Sequence, residues 1–137
     1  MRFFLDACIS QRIAHSLALA AEGNGQTVKH LTDLFEPNTP DVEWIRALKQ
    51  EGDWIIISAD PRITRNRIEH AAWQESGLTA FFLVDFSRRK FWDQLHELVS
   101  RWPDIVIAAR EGAPGSGYLI KPRQKSFPTI FEPATDQ

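Results

Sequence analysis

The sequence predicts an α/β fold with a central parallel sheet, and three observations predict it. Short apolar runs of strand length recur at 2–5, 55–57 and 80–84, and 27–31 reads as a further strand. Longer segments lie between them, with apolar residues repeating at helical spacing. The Ile55-Ile56-Ile57 run is apolar without alternation, as a strand covered on both faces should be. Strand–helix alternation of this kind marks a sheet sandwiched between helical layers.

Each element has a local reason. Arg2-Phe3-Phe4-Leu5 is halted by Asp6, and Ile9, Ile13, Leu17 and Ala20/Ala21 then trace a helix until Gly23-Asn24-Gly25. After the second strand, Thr39 is expected to cap a helix, with Pro40 at its first position and Asp41 and Glu43 in its first turn. Trp44, Ile45 and Leu48 give that helix an apolar face, and Gly52 ends it. Ile63, Ile68, Ala71 and Ala72 suggest a further helix, stopped at Gly77. Phe91, Trp92, Leu95, Leu98, Val99 and Trp102 form the strongest amphipathic pattern, expected to stop at Pro103. A fifth strand is offered by 105–107 or by 118–120. From Lys121 onward three prolines and weak periodicity point to a tail or docked arm, 121–137, after a domain of 1–120.

Composition narrows the function classes. The chain has 137 residues, room for one core, and a net charge of −2, so polyanion binding must rest on local basic clusters. A single cysteine, Cys8, forbids an intrachain disulfide and suits a reducing compartment. It is expected to pack under the first helix. No apolar run approaches bilayer length, and a strand pattern begins within two residues of the start. The expectation is a soluble cytoplasmic domain without membrane contact.

Asp6 follows strand one, Asp60 lies just past strand three, and Asp41 opens the helix after strand two. Right-handed crossovers bring those positions to one edge of a parallel sheet. Singly, Asp41 needs no role beyond complementing a helix dipole, and Asp60 none beyond capping. Asp6 differs, because a charge ending a buried strand needs a partner. Three converging carboxylates repel unless a cation joins them, and the suited cation is Mg²⁺ or Mn²⁺. Such a site activates water for attack on a phosphodiester.

"FFLDACIS", "TPDVEWI" and "IIISADPRI" resemble segments of the PIN-like nuclease domains, most closely the short VapC-type toxins of toxin–antitoxin pairs. The resemblance covers about residues 2–70. It implies a three-layer α/β/α sandwich with strand order 3-2-1-4-5, and metal-dependent cleavage of RNA. It assigns Asp6, Asp41 and Asp60 to metal binding and catalysis, with Ser58 in the hydroxyl position of a T/S-x-D segment. It also implies RNA as substrate and a small antitoxin as partner, and leaves room for a homodimer. Two departures stand out. The insertion that carries a further glutamate in larger PIN domains is absent, with Glu43, Glu36, Glu69 or Asp85 as substitutes and Glu43 taken as a supporting residue. Ile63 stands where an aromatic often follows the third acid.

Arg62, Arg65 and Arg67 follow Asp60 and are candidates for RNA phosphate contacts, Arg62 foremost. Arg88-Arg89-Lys90 and Lys121, Arg123 and Lys125 form further basic clusters, for which a solvated face is the default. Of the five tryptophans, Trp44, Trp92 and Trp102 fit core or interface faces, while Trp54 and Trp73 are less obvious. Two rival readings remain. A receiver-like phosphoacceptor domain would use Asp60 and Lys121, but the first strand offers one acid where two are needed. A non-catalytic PIN-like module would keep the shape for binding alone.

Overall fold

A computed structural model of the protein describes residues 1–64 and 67–134. The chain forms β1 (Arg2–Leu5), α1 (Gln11–Ala21), β2 (Thr27–His30), α2 (Leu31–Leu34) and α3 (Asp41–Glu51). There follow β3 (Trp54–Ser58), a 3₁₀ turn (Pro61–Thr64), α4 (Arg67–Ser76), β4 (Thr79–Leu83), α5 (Phe91–Glu111), β5 (Gly117–Ile120) and β6 (Thr129–Phe131). The strands lie in one sheet in the order β2-β1-β3-β4-β5-β6. All pairs are parallel except β5–β6. The predicted α/β class with a mostly parallel sheet is what the chain adopts.

Alternate side chains of each central strand feed two cores. Phe3, Leu5, Ile55, Ile57, Phe81 and Leu83 pack beneath α1 and α5, against Ile13, Leu17, Leu98 and Trp102. Phe4, Ile56, Ala80 and Phe82 face the other way, onto Trp44 and Leu48 of α3 and Trp73 of α4. Burial on both faces explains the unbroken isoleucine run of β3. Trp54 and Trp73 belong to this second core; Trp92 is 74% exposed and so is not core, and Ile68, counted on the apolar face of its helix, is 80% exposed. Among the described residues no helix is long and apolar enough to cross a membrane.

The strand order corrects the 3-2-1-4-5 expectation. Only β2 is laid on the outer side of β1 before the chain crosses back to place β3 on its other side. β2 is built as an edge: Val28 and His30 are buried, but Thr27 and Lys29 are exposed, and a lysine on an edge discourages further pairing. The winding direction therefore reverses between β1 and β3. A crevice opens there, at the carboxyl ends of the strands, where ligands of open α/β sheets bind.

Pro103 does not end its helix. α5 continues through it to Glu111, so 105–107 is helical and the fifth strand is 117–120. Pro103 sits on the exposed side of the helix, and continuing past it buries Ile105 and Val106. The two side chains together return about 3–6 kcal/mol, against about 3 kcal/mol for an interior proline. Residues after β5 return to the sheet: Leu119 N–H donates to Pro128 O at 2.8 Å, and Arg101 Nη2 donates to Lys121 O at 2.9 Å. Phe131 of β6 is buried over Gly117, where an added Cβ would lie 2.3 Å from the Phe131 ring.

Candidate active site at the reversal point of the sheet

Asp6 is carried out of β1 by one further sheet bond, its N–H donating to Ile57 O at 3.2 Å. The residue is only 6% exposed. Oδ1 accepts the Cys8 N–H at 3.1 Å, and Oδ2 accepts a short hydrogen bond from the Ser58 hydroxyl. Both donors are neutral. Among the described residues no basic side chain pairs with Asp6. Burial, reinforced by the charges of Asp41 and Asp60, raises its carboxyl from the ordinary 3.8 to about 7, against the opposing pull of the two hydrogen bonds.

Ser58, the last residue of β3, links the first acid to the third. Its Oγ also accepts the Asp60 N–H at 3.1 Å. Asp60 then closes a small turn, with Oδ1 accepting the Arg62 N–H at 2.9 Å. The Arg62 guanidinium clamps the same carboxylate, Nε at 2.9 Å and Nη2 at 2.6 Å from Oδ2. Burial alone would raise Asp60, but the hydrogen bonds and charge of Arg62 hold it below the usual carboxylate range.

Asp41 occupies the first position of α3. The helix begins one residue later than expected: Pro40 stands at the cap, and the Thr39 hydroxyl donates instead to Glu36 O at 2.7 Å. Asp41 Oδ1 accepts the Trp44 indole N–H at 3.0 Å, and Oδ2 accepts Arg62 Nη2 at 3.2 Å. Trp44 is a site residue that reading the sequence as core alone missed. Its spacing of three from Asp41 on one helix was the available signal. Glu43 is exposed and, among the described residues, forms no hydrogen bond to the three acids.

The arrangement is thus a chain of contacts, Asp6–Ser58–Asp60–Arg62–Asp41–Trp44, at the β1/β3 crevice. Arg65 and the Arg67 side chain lie outside the described residues. Cys8 is exposed, not packed under α1; Ile9 takes the buried place, its carbonyl held 2.6 Å from His30 Nε2. Partial desolvation of the sulfur, and then the charges of Asp6, Asp60 and Asp41, push the Cys8 thiol up to about 12. It stays protonated near neutrality and is no nucleophile.

A model of the PIN-like domain family matches residues 1–85. The chain belongs to the PIN-like domain family. The matched span holds all three acids, Ser58 and Arg62, and stops in the loop after β4. No curated protein and no solved structure matches the chain. PIN-like domains are in general metal-dependent nucleases. Here the donor chemistry suits a hard divalent ion: oxygen donors only, one of them a buried carboxylate with neutral partners. The spacing, however, does not close around one. Among the described residues no three His, Cys, Asp or Glu stand close enough to hold a metal. Arg62 sits on two of the three acids and supplies the positive charge in their midst.

Proposed function

We propose that this PIN-like domain is a divalent-metal-dependent ribonuclease, using Mg²⁺ or Mn²⁺, and the toxin of a type II toxin–antitoxin pair acting in the cytoplasm. The observation that carries the reading is Asp6. A carboxylate buried at the end of a central strand, held by neutral donors and within the field of two further carboxylates, is a costly arrangement that a cation would stabilise. What a bound divalent ion supplies there is positive charge that favours ionised water and neutralises phosphate oxygens.

The chain's own residues divide the remaining work. Ser58 and the Cys8 N–H fix the Asp6 oxygens, and the Trp44 indole fixes Asp41. Asp6, Asp41 and Asp60 would hold the ion only once Arg62 leaves Asp60 and Asp41 and the three carboxylates draw together, since they stand too far apart here. Arg62, whose side chain is 59% exposed, can exchange its carboxylate contacts for a phosphate oxygen pair, which its planar fork fits equally well. RNA cleaved this way carries a 5′-phosphate and a 3′-hydroxyl. The ribose 2′-hydroxyl takes no part, so a deoxy position at the cut is tolerated. A small antitoxin encoded beside this chain, and a homodimer, are the partners that go with the reading.

Asp6→Asn, Asp41→Asn and Asp60→Asn should each abolish Mn²⁺-stimulated RNA cleavage while leaving the protein folded, and EDTA should silence the parent. Full activity in all three variants would reject the site. A non-catalytic binding module is the rival that one observation favours, since Arg62 already neutralises Asp60 and Asp41. Calorimetry that finds no Mg²⁺ or Mn²⁺ binding near neutral pH would decide for it.

A further inference from the structure

The acids are not the only feature at the carboxyl ends of the strands. A cavity of about 220 Å³ opens between the ends of β3 and β4, lined by Ala59 and Asp60 on one side and by Phe82, Val84, Phe86 and Arg88 on the other. Asp60 belongs to both the cavity and the acid site, so anything seated in the cavity lies one side chain from the clamp described above. The lining is mainly apolar, and the volume falls below the roughly 300 Å³ from which pockets for drug-sized ligands begin. Its volume is on the scale of a single small ring system rather than of a larger ligand.

The loop that walls the cavity is fixed in advance. Asp85 has φ 56°, a left-handed conformation that few L residues adopt but aspartate tolerates. Phe86 O accepts both the Arg89 N–H at 3.1 Å and the Gln94 amide at 2.9 Å. Arg89 Nε donates to Asp85 O at 3.2 Å, Nη1 pairs with Glu97 at 3.6 Å, and the guanidinium lies 5.7 Å from the Phe86 ring centre. Arg89 is therefore a structural bolt. Arg88, its neighbour, is exposed and has no hydrogen-bond or ion-pair partner among the described residues. One uncommitted cation thus stands at the rim of a preformed apolar slot beside the acids.

We propose that this cavity is a subsite for one nucleotide of single-stranded RNA, the base in the slot and its phosphate on Arg88. The proposal rests on the nuclease reading for where the scissile bond lies, and adds where the neighbouring nucleotide is held. An unstacked base offers a flat apolar ring, and the adjoining phosphate offers the negative partner that Arg88 lacks among the described residues.

The test is binding in EDTA, where neither metal nor cleavage enters. Amide NMR of the full chain is followed during titration with a 5′-mononucleotide, the matching nucleoside, inorganic phosphate and a short single-stranded RNA. The mononucleotide and the RNA should shift the amides of 82–88, and bind more tightly than nucleoside or phosphate alone. Arg88→Gln should weaken the mononucleotide about five- to tenfold and flatten its salt dependence by about one charge, whereas Lys125→Gln should change neither. Equal binding by parent and Arg88→Gln, or shifts confined to other segments, would overturn the subsite. Binding at 82–88 in a protein that cleaves no RNA with Mn²⁺ would sink the nuclease reading and leave the subsite standing. Asp-dependent cleavage with an unchanged KM in Arg88→Gln would do the reverse.

Discussion

Replacing Asp6 by asparagine should make the metal-free protein more stable and inactive at once. The folded carboxyl binds its proton more tightly than the unfolded one, with a pKa of about 7 against an ordinary 3.8. Between those values the native state holds the extra proton, so stability falls as pH rises. The contribution is fully present below about pH 4 and lost once pH passes about 7. A shift of that size corresponds to on the order of 4 kcal/mol. Asparagine is neutral throughout, so it escapes the loss. It recovers less than the full amount, because its amide N–H₂ must face the Ser58 hydroxyl, which would have to turn and accept. The expected gain is about 2 kcal/mol at pH 8.5, or roughly 5–10 °C in Tm, shrinking towards zero near pH 4. Thermal melts of both proteins in EDTA across that range measure it. Added Mn²⁺ should raise the Tm of the parent and leave Asp6→Asn unmoved, since an ion bound only by the native state stabilises it. A flat pH profile for the parent, or an asparagine variant less stable at pH 8.5, would refute the reasoning.

Arg62→Gln should tighten Mn²⁺ binding by up to about tenfold in calorimetry, because it removes a guanidinium from two carboxylates at a half-exposed site where such pairs are worth about 1 kcal/mol. The same variant should bind RNA more weakly, and unchanged or weaker metal affinity would show that the arginine does not compete with the ion. Pro103→Ala should stabilise the protein by about 3 kcal/mol in urea unfolding, since it restores an N–H to the interior of α5 at an exposed position. Destabilisation there would mean that the helix depends on its proline.

The parts of this protein legible in its sequence are those that local pattern dictates. Apolar runs marked β1, β3 and β4, the Gly23-Asn24-Gly25 and Gly52 breaks ended α1 and α3, and an aspartate closing a buried strand pointed to the candidate site. Their positions at strand ends and a helix start put Asp6, Asp41 and Asp60 at one sheet edge once parallel pairing with right-handed crossovers was assumed. Tertiary packing decided the rest. Pro103 lies inside a helix because burying Ile105 and Val106 outweighs a missing hydrogen bond, a balance no local window contains. The strand order depends on which strand pairs on the other side of β1, a long-range choice that the pattern of β2 alone does not contain. Above all, the sequence shows an arginine two residues after Asp60 but not that it reaches Asp41, twenty-one positions away. Charge interactions act through space, so only the fold determines which cation those carboxylates meet.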